Sequence, residues 1–434
     1  MRRVVITGLG TISPLGSTTE ALWQALSSGH SGVIPSPAEA PGSLAAPFAG
    51  EVRQFTGQID DFGPLEGELK KAIRKGLKVM CRESQMGVAA AQRAIADANL
   101  AAGAYDPERG GVVFGSDYML SAPDDLTDAM QACAAPAHEF EFSRWAKEGM
   151  SKMSPLWLLK YLPNMPASHI AIYNDLRGPN NSLTLREAAA NLAVGEAFRV
   201  IQRGHADMMV AGATGTRIHP LKALHSALQE ELADGDQQPE NASRPFDLNR
   251  TGMVIGEGAG AIVLEEYESA HQRGARIYGE IIGAGSSSVA DKRRVARRGQ
   301  AMANAMRSAL RDSGLAASEI GHVNAHGLGT HSCDAEEAQA IGEVLANRKK
   351  PAPVVAIKSY FGNLGAGSGI VELAASALAL QNGKLPRILN YETPDPDCPI
   401  AAVTADNTPA GESFLKLNVT PQGQASCIVV RACA

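Results

Sequence analysis

No two cysteines in this 434-residue chain are spaced as Cys-x-x-Cys. The six present (Cys81, Cys133, Cys333, Cys398, Cys427 and Cys433) follow no regular interval, which excludes a disulfide framework and a zinc knuckle as organising features. Basic residues are not in excess. Forty Lys and Arg face 46 Asp and Glu, a formal net charge of −6, and this argues against a dedicated nucleic-acid binder. No uncharged apolar run reaches the ~18 residues of a membrane span. The opening Met1-Arg2-Arg3-Val4-Val5-Ile6-Thr7-Gly8 enters a strand pattern directly and lacks the apolar stretch of a secretory leader, so a cytoplasmic protein is expected. Aromatics are sparse at 5%, whereas glycine is abundant with 44 residues. That balance suits a layered α/β protein whose elements pass close to one another.

The apolar pattern supports this class. Val4–Gly10, Gly111–Gly115, Met208–Ala211, Gly260–Glu266, Ile277–Gly283, Val323 and Val354–Ile357 read as short buried strands, and so does His169–Tyr173. Helices are expected over 18–28, 84–99, 185–203 and 367–381. Residues 120–165 look like an inserted cap, with Trp145 and Trp157 as packing anchors. Strand, glycine-bearing loop and long Ala-rich helix recur around Gly178-Pro179 and Gly362-Asn363, a weak repeat near 185 residues that suggests two equivalent halves.

Several motifs then fall in one order: Val4–Gly10 with Pro14-Leu15-Gly16; Ser243-Arg244-Pro245-Phe246-Asp247; Gly256-Glu257-Gly258-Ala259-Gly260; Asn324-Ala325-His326-Gly327 with Thr330, Asp334 and Glu337; and Lys358-Ser359 with Gly362-Asn363, Gly365 and Glu372. Together they resemble the elongating β-ketoacyl–acyl carrier protein synthases, along nearly the whole chain. The resemblance implies a thiolase-like α/β fold of two pseudo-equivalent halves in five α-β-α-β-α layers. It places the halves at 1–266, which includes the cap, and 267–434. It also implies a dimer, a substrate carried on the phosphopantetheine of acyl carrier protein, and no further cofactor.

The departures bear on chemistry. The family's reactive cysteine opens the helix after the Gly-Pro loop, and counting from Gly178 reaches Glu187 there. The second family histidine is replaced by Asn363, and Pro421 falls in the glycine-rich loop that supplies an oxyanion N–H. Glutamate cannot form a stable thioester, and proline has no N–H. His326 and Asn363 can still donate hydrogen bonds to an enolate oxygen. The implied activity is decarboxylation of malonyl–acyl carrier protein to acetyl–acyl carrier protein without condensation. Lys358, Asp334, Glu337 and Glu372 would support the site, and a buried, protonated Glu187 would deliver the proton, desolvation being expected to outweigh the helix dipole.

The alternative is a catalytically silent subunit resembling a chain-length factor, paired with an active ketosynthase paralogue instead of with itself. Covalent glutamate chemistry is disfavoured by Pro421. Metal binding by His322, His326, His331 and Cys333 is disfavoured by their spacing. Thr330 and Leu328 are expected along the pantetheine arm, with Phe246 and Pro421 completing the channel; Leu328 stands where the family has a second threonine. Two basic clusters, Lys70, Lys71, Arg74, Lys75 and Lys78, and Lys292, Arg293, Arg294, Arg297 and Arg298, are candidate docking surfaces for an acidic carrier.

Overall fold

Close approach explains the glycines of the first strand. A Cβ at Gly8 would lie 2.2 Å from the Ala94 carbonyl, and one at Gly10 2.0 Å from that of Ala90. Only glycine lets strand β1, Val4–Ile12, lie directly under the Ala-rich helix Arg82–Asp97. The computed structural model describes residues 1–37, 46–100, 103–134, 139–233, 235 and 237–433.

Among the described residues, ten strands carry the main sheet, with the two-residue Ala401–Ala402 added at one edge and the short Phe48–Gly50 and Ile34–Pro35 attached off its path. The first five are β1, β2 (Gly110–Ser116), β3 (Asn180–Thr184), β4 (Met208–Thr216) and β5 (Ile255–Glu266). The others are β6 (Gly279–Ser288), β7 (His322–Asn324), β8 (Pro353–Val355), β9 (Ser413–Val419) and β10 (Gln424–Arg431). Their order is β3-β2-β4-β5-β1 followed by β6-β10-β9-β7-β8. From the central β1–β6 contact outward, each half pairs antiparallel, antiparallel, parallel, parallel. β1 and β6 themselves pair antiparallel over three residues. Two halves of one design are therefore joined edge to edge, as the repeat around Gly178 and Gly362 suggests.

Two helices run between the halves, Ala189–Gln202 after β3 and Ser368–Asn382 after β8, and each touches strands of both. Ser368 to Ala379 is buried without interruption, the mark of a helix in a core, not on a surface. Arg82–Asp97 covers the first half and Arg298–Ser313 the second, completing the α-β-α-β-α stack of a thiolase-like fold.

One expected strand is corrected. His169–Tyr173 lies in the helix Met165–Tyr173, and the strand of that region is β3. Pro166 pre-sets the first helical turn, and Ile170 and Ala171 are buried while Ile172 is 71% exposed, a helical face that a five-residue window reads as a strand. Among its described residues the cap holds the helix Asp124–Ala132 and a series of short turns over 142–161. Trp145 packs against Phe140, and Trp145 and Trp157 are both half-buried. Residues 135–138 of the cap lie outside the described residues.

Candidate active site

Glu187 sits in a single 3-10 turn, Arg186–Ala188, between β3 and the buried helix Ala189–Gln202. The turn is entered through Arg186 at φ 49°, a left-handed conformation that is unfavourable for a long side chain and aims the next residue inward. His326 follows β7, and Asn363 follows the short helix Lys358–Phe361. The structure brings these three predicted residues together. Asn363 Nδ2 donates to Glu187 Oε1 at 3.1 Å, and Glu187 and His326 line one narrow cavity that is too tight to admit a water molecule.

Glu187 is 1% exposed. Burial raises its carboxyl pKa, but the buried Arg217 and the neighbouring Arg186 more than offset this and hold the group well below the usual carboxylate range. Arg217 Nη2 donates to Glu187 Oε1 at 2.5 Å and stands 3.2 Å from Asp117 Oδ2, all three side chains being essentially inaccessible. The expectation of a protonated Glu187 is thus corrected. Glu187 is buried, as that argument required, but the opposing force is a guanidinium in contact and not a helix dipole. Glu187 is an ionised carboxylate and has no proton to give.

His326 is the reverse case. Burial, then the nearby Lys358 ammonium, depresses its pKa well below the ordinary value, so the imidazole is neutral. Lys358 Nζ and Asn418 Nδ2, both donors only, each approach His326 Nδ1 at 3.4 Å. Nδ1 therefore accepts, and the proton resides on Nε2. Asn363 is oriented by its own carbonyl, which accepts from the Gly365 N–H and the Ser368 hydroxyl. Its amide group has two hydrogens: one goes to Glu187, and Nδ2 also lies 3.0 Å from the Met253 sulfur, a weak acceptor that a thioester oxygen can replace.

The four supporting residues hold this arrangement from behind. Lys358 Nζ donates to Glu372 at 2.6 Å and to the His326 carbonyl at 2.8 Å, and Lys416 pairs with the other Glu372 oxygen at 2.7 Å. Glu337 accepts from the backbone N–H groups of His326 and Gly327, and Asp334 from those of Phe246, Leu328 and Gly329. Burial pushes Asp334 up to about 6 and Glu337 up to about 7 despite these bonds.

Leu328 and Pro421 line the cavity. Phe246 does not; it is buried beneath the 325–330 loop at φ 65° and packs in the core with Leu328. Thr330 is buried, and its hydroxyl has no partner among the described residues. The basic clusters separate into different settings. Lys71, Arg74, Lys75 and Lys78 are exposed on or just after the helix Gly67–Gly76, with Lys70 paired to Asp60 and Lys71 to Glu68. Lys292, Arg293 and Arg294 project from a tight loop organised by Asp291, which also pairs with Arg297. Arg298 turns inward, pairs with Glu336 and lines the cavity.

Sequence reasoning missed Arg217, Arg186 and Glu230 near the site, and Lys416 and Asn418 behind it. The last two carried a signal: they share one face of β9, whose seven residues are all buried, and polar residues two apart inside such a strand must be satisfied by something. Cys333, next to Asp334 in sequence, is also near the site in space. It lines the cavity, but burial raises its thiol pKa well above the ordinary value, leaving it a poor nucleophile. His322 is engaged by the Ala410 carbonyl and the Ser376 hydroxyl, and His331 by Glu231, so neither faces His326 as a co-ligand.

Comparison with known proteins agrees with this geometry. The family model "Beta-ketoacyl synthase, N-terminal domain" matches residues 1–270, and "Beta-ketoacyl synthase, C-terminal domain" matches 278–392. The 3-oxoacyl-[acyl-carrier-protein] synthase 2 of Synechocystis is 35% identical over 403 residues, covering 92% of this chain and 90% of that protein. Among solved structures, a type II polyketide ketosynthase in complex with its acyl-carrier protein superposes with a TM-score of 0.84 at 26% identity. The ishigamide ketosynthase/chain length factor gives 0.82 at 28% identity; each covers 100% of both chains. With both domain models and the fold in agreement, the chain belongs to the β-ketoacyl synthase family.

Proposed function

We propose that this ketosynthase-family protein decarboxylates malonyl–acyl carrier protein to acetyl–acyl carrier protein without condensing it. The observation that carries the reading is the neutral His326, held through Nδ1 by Lys358 and Asn418 so that Nε2–H is the free donor, beside the Asn363 amide. These two donors suit the oxygen of a thioester enolate, which gains charge as CO2 departs. Nothing at position 187 accepts an acyl group: the side chain is a carboxylate tied to Arg217. Pro421 at the cavity wall offers no N–H to a tetrahedral intermediate.

The carrier would dock over the basic loop. Val289 donates to the Gly423 carbonyl, which joins this loop to the turn bearing Pro421. The protein would act as a homodimer. The test is mass spectrometry of malonyl–acyl carrier protein incubated with purified protein. Acetyl carrier that disappears with His326→Ala supports the proposal, and turnover equal to the enzyme-free control overturns it.

One observation favours a second reading, a silent partner of an active ketosynthase. The Glu187 carboxylate already occupies one Asn363 hydrogen, as if filling the place of the substrate oxygen. In that case the purified chain is inactive and gains a partner only when a cysteine-bearing paralogue is co-expressed.

A further inference from the structure

An ionised Glu187 leaves the proposed reaction without its acid. When the C–C bond of the malonyl group breaks, its electron pair passes to the thioester oxygen, CO2 leaves, and C2 must then take one proton to become a methyl group. His326 is neutral and supplies hydrogen bonds, not a net proton. Cys333 is a thiol far from ionising.

The cavity wall has one other carboxyl group. Glu230 ends the helix Pro220–Gln229 and lines the same cavity as Glu187, His326 and Arg298. Its neighbour Gln229 is anchored by Arg186 Nη1 at 2.7 Å, which ties the end of this helix to the turn that bears Glu187. Among the described residues the Glu230 carboxyl has no hydrogen-bond or ion-pair partner, unlike Glu231 beside it, which pairs with His331. It is only half-buried, so one edge meets solvent while the other meets the cavity.

We propose that Glu230 is the acid of this site: its carboxyl protonates C2 of the enolate after CO2 has left and is reloaded from water at its exposed edge. The inference rests on the decarboxylase reading. The electrostatic setting suits the role. Burial, then the Glu187 carboxylate, raises Glu230 to about 7, while Arg186, Arg298 and Arg217 hold it down from the other sides. An acid with its pKa near the working pH is both protonated often enough and willing enough to donate. The pair also divides the labour that one residue was expected to perform, because the ionised Glu187 adds to burial in keeping the proton on Glu230.

The test compares wild type, Glu230→Gln and Glu230→Asp as full-length protein with malonyl–acyl carrier protein from pH 5.5 to 8.5. Wild-type kcat is expected to fall above about pH 7. Glu230→Gln is expected to lose about 10²-fold or more and to show no such limb, the usual scale of general acid catalysis, with Glu230→Asp recovering part. A second readout needs no substrate. An acid whose pKa is raised in the fold costs stability as pH rises from its unfolded value near 4.5 to about 7. Wild type should therefore lose thermal stability relative to Glu230→Gln across that window. Wild-type turnover with an unchanged rate and pH profile in Glu230→Gln overturns this inference alone; an inactive wild type overturns the decarboxylase reading and the inference with it.

Discussion

Arg217→Met tests the electrostatics of the site most severely. The substitution keeps an unbranched apolar stem and removes the one charge that faces both Asp117 and Glu187. All three side chains are excluded from solvent, so each carboxylate left behind is a buried ion with a weaker partner set. Breaking a buried pair typically costs about 3–5 kcal/mol, most of it the penalty on the abandoned charge. The cost should depend on pH in a defined sense. In wild type the Glu187 pKa is depressed by folding, so its contribution is present above the unfolded value near 4.5 and lost as pH falls through the folded value. In Arg217→Met the burial term acts without its main opponent, Glu187 moves upward, and the variant escapes part of the penalty by taking up a proton. Urea unfolding at pH 7.5 and pH 5 should show the larger loss at pH 7.5. Adding Glu187→Gln should restore part of it at pH 7.5, because the abandoned charge is then gone. Equal losses at both pH values, with no rescue by Glu187→Gln, would refute the claim that Arg217 is what keeps Glu187 ionised.

Three further outcomes follow from the same geometry. Glu187→Cys, assayed by acyl transfer from an acyl carrier protein, should remain a poor condensing enzyme, and Glu187→Cys with Pro421→Gly should gain about 10²–10³-fold, the scale of one oxyanion donor; an efficient single variant would show that Pro421 does not limit the reaction. Lys358→Met should lower stability by about 3–5 kcal/mol in chemical denaturation and release His326 Nδ1 from one of its two donors, so that the imidazole titrates at a higher pH by NMR; an unmoved His326 would contradict the share of its depression assigned to Lys358. Reversing Arg293 and Arg294 to Glu should weaken carrier binding at low salt and converge with wild type at high salt; equal affinity at low salt would remove this loop from the docking surface.

Much of the frame was legible because glycine and motif order are local signals. Gly8 and Gly10 mark a strand under a helix, and the Gly-Pro loop places Glu187 by counting alone. The helix Met165–Tyr173 was misread because the five residues His169–Tyr173 are too short a stretch to separate period 2 from period 3.6. Arg217 was invisible for a different reason. It follows β4 by one residue and meets Glu187 only when β3 and β4 are laid on either side of β2, a contact set by sheet order and not by spacing. The charge state of Glu187 depended on that contact, so burial alone gave the wrong sign. Glu230 was hidden likewise, since a carboxylate at a helix end is ordinary until the cavity beside it is known.

The central claim is that His326 and Asn363 serve an enolate at a site where no acyl group can be stored. The most direct measurement is a single-turnover experiment with malonyl–acyl carrier protein labelled in the malonyl group, following CO2 release and the mass of both carrier and protein. The account predicts CO2 and acetyl carrier in equal amounts, no acyl adduct on the protein, and loss of both products in His326→Ala. A covalent acyl adduct on the chain, or CO2 release unaffected by His326→Ala, would contradict it.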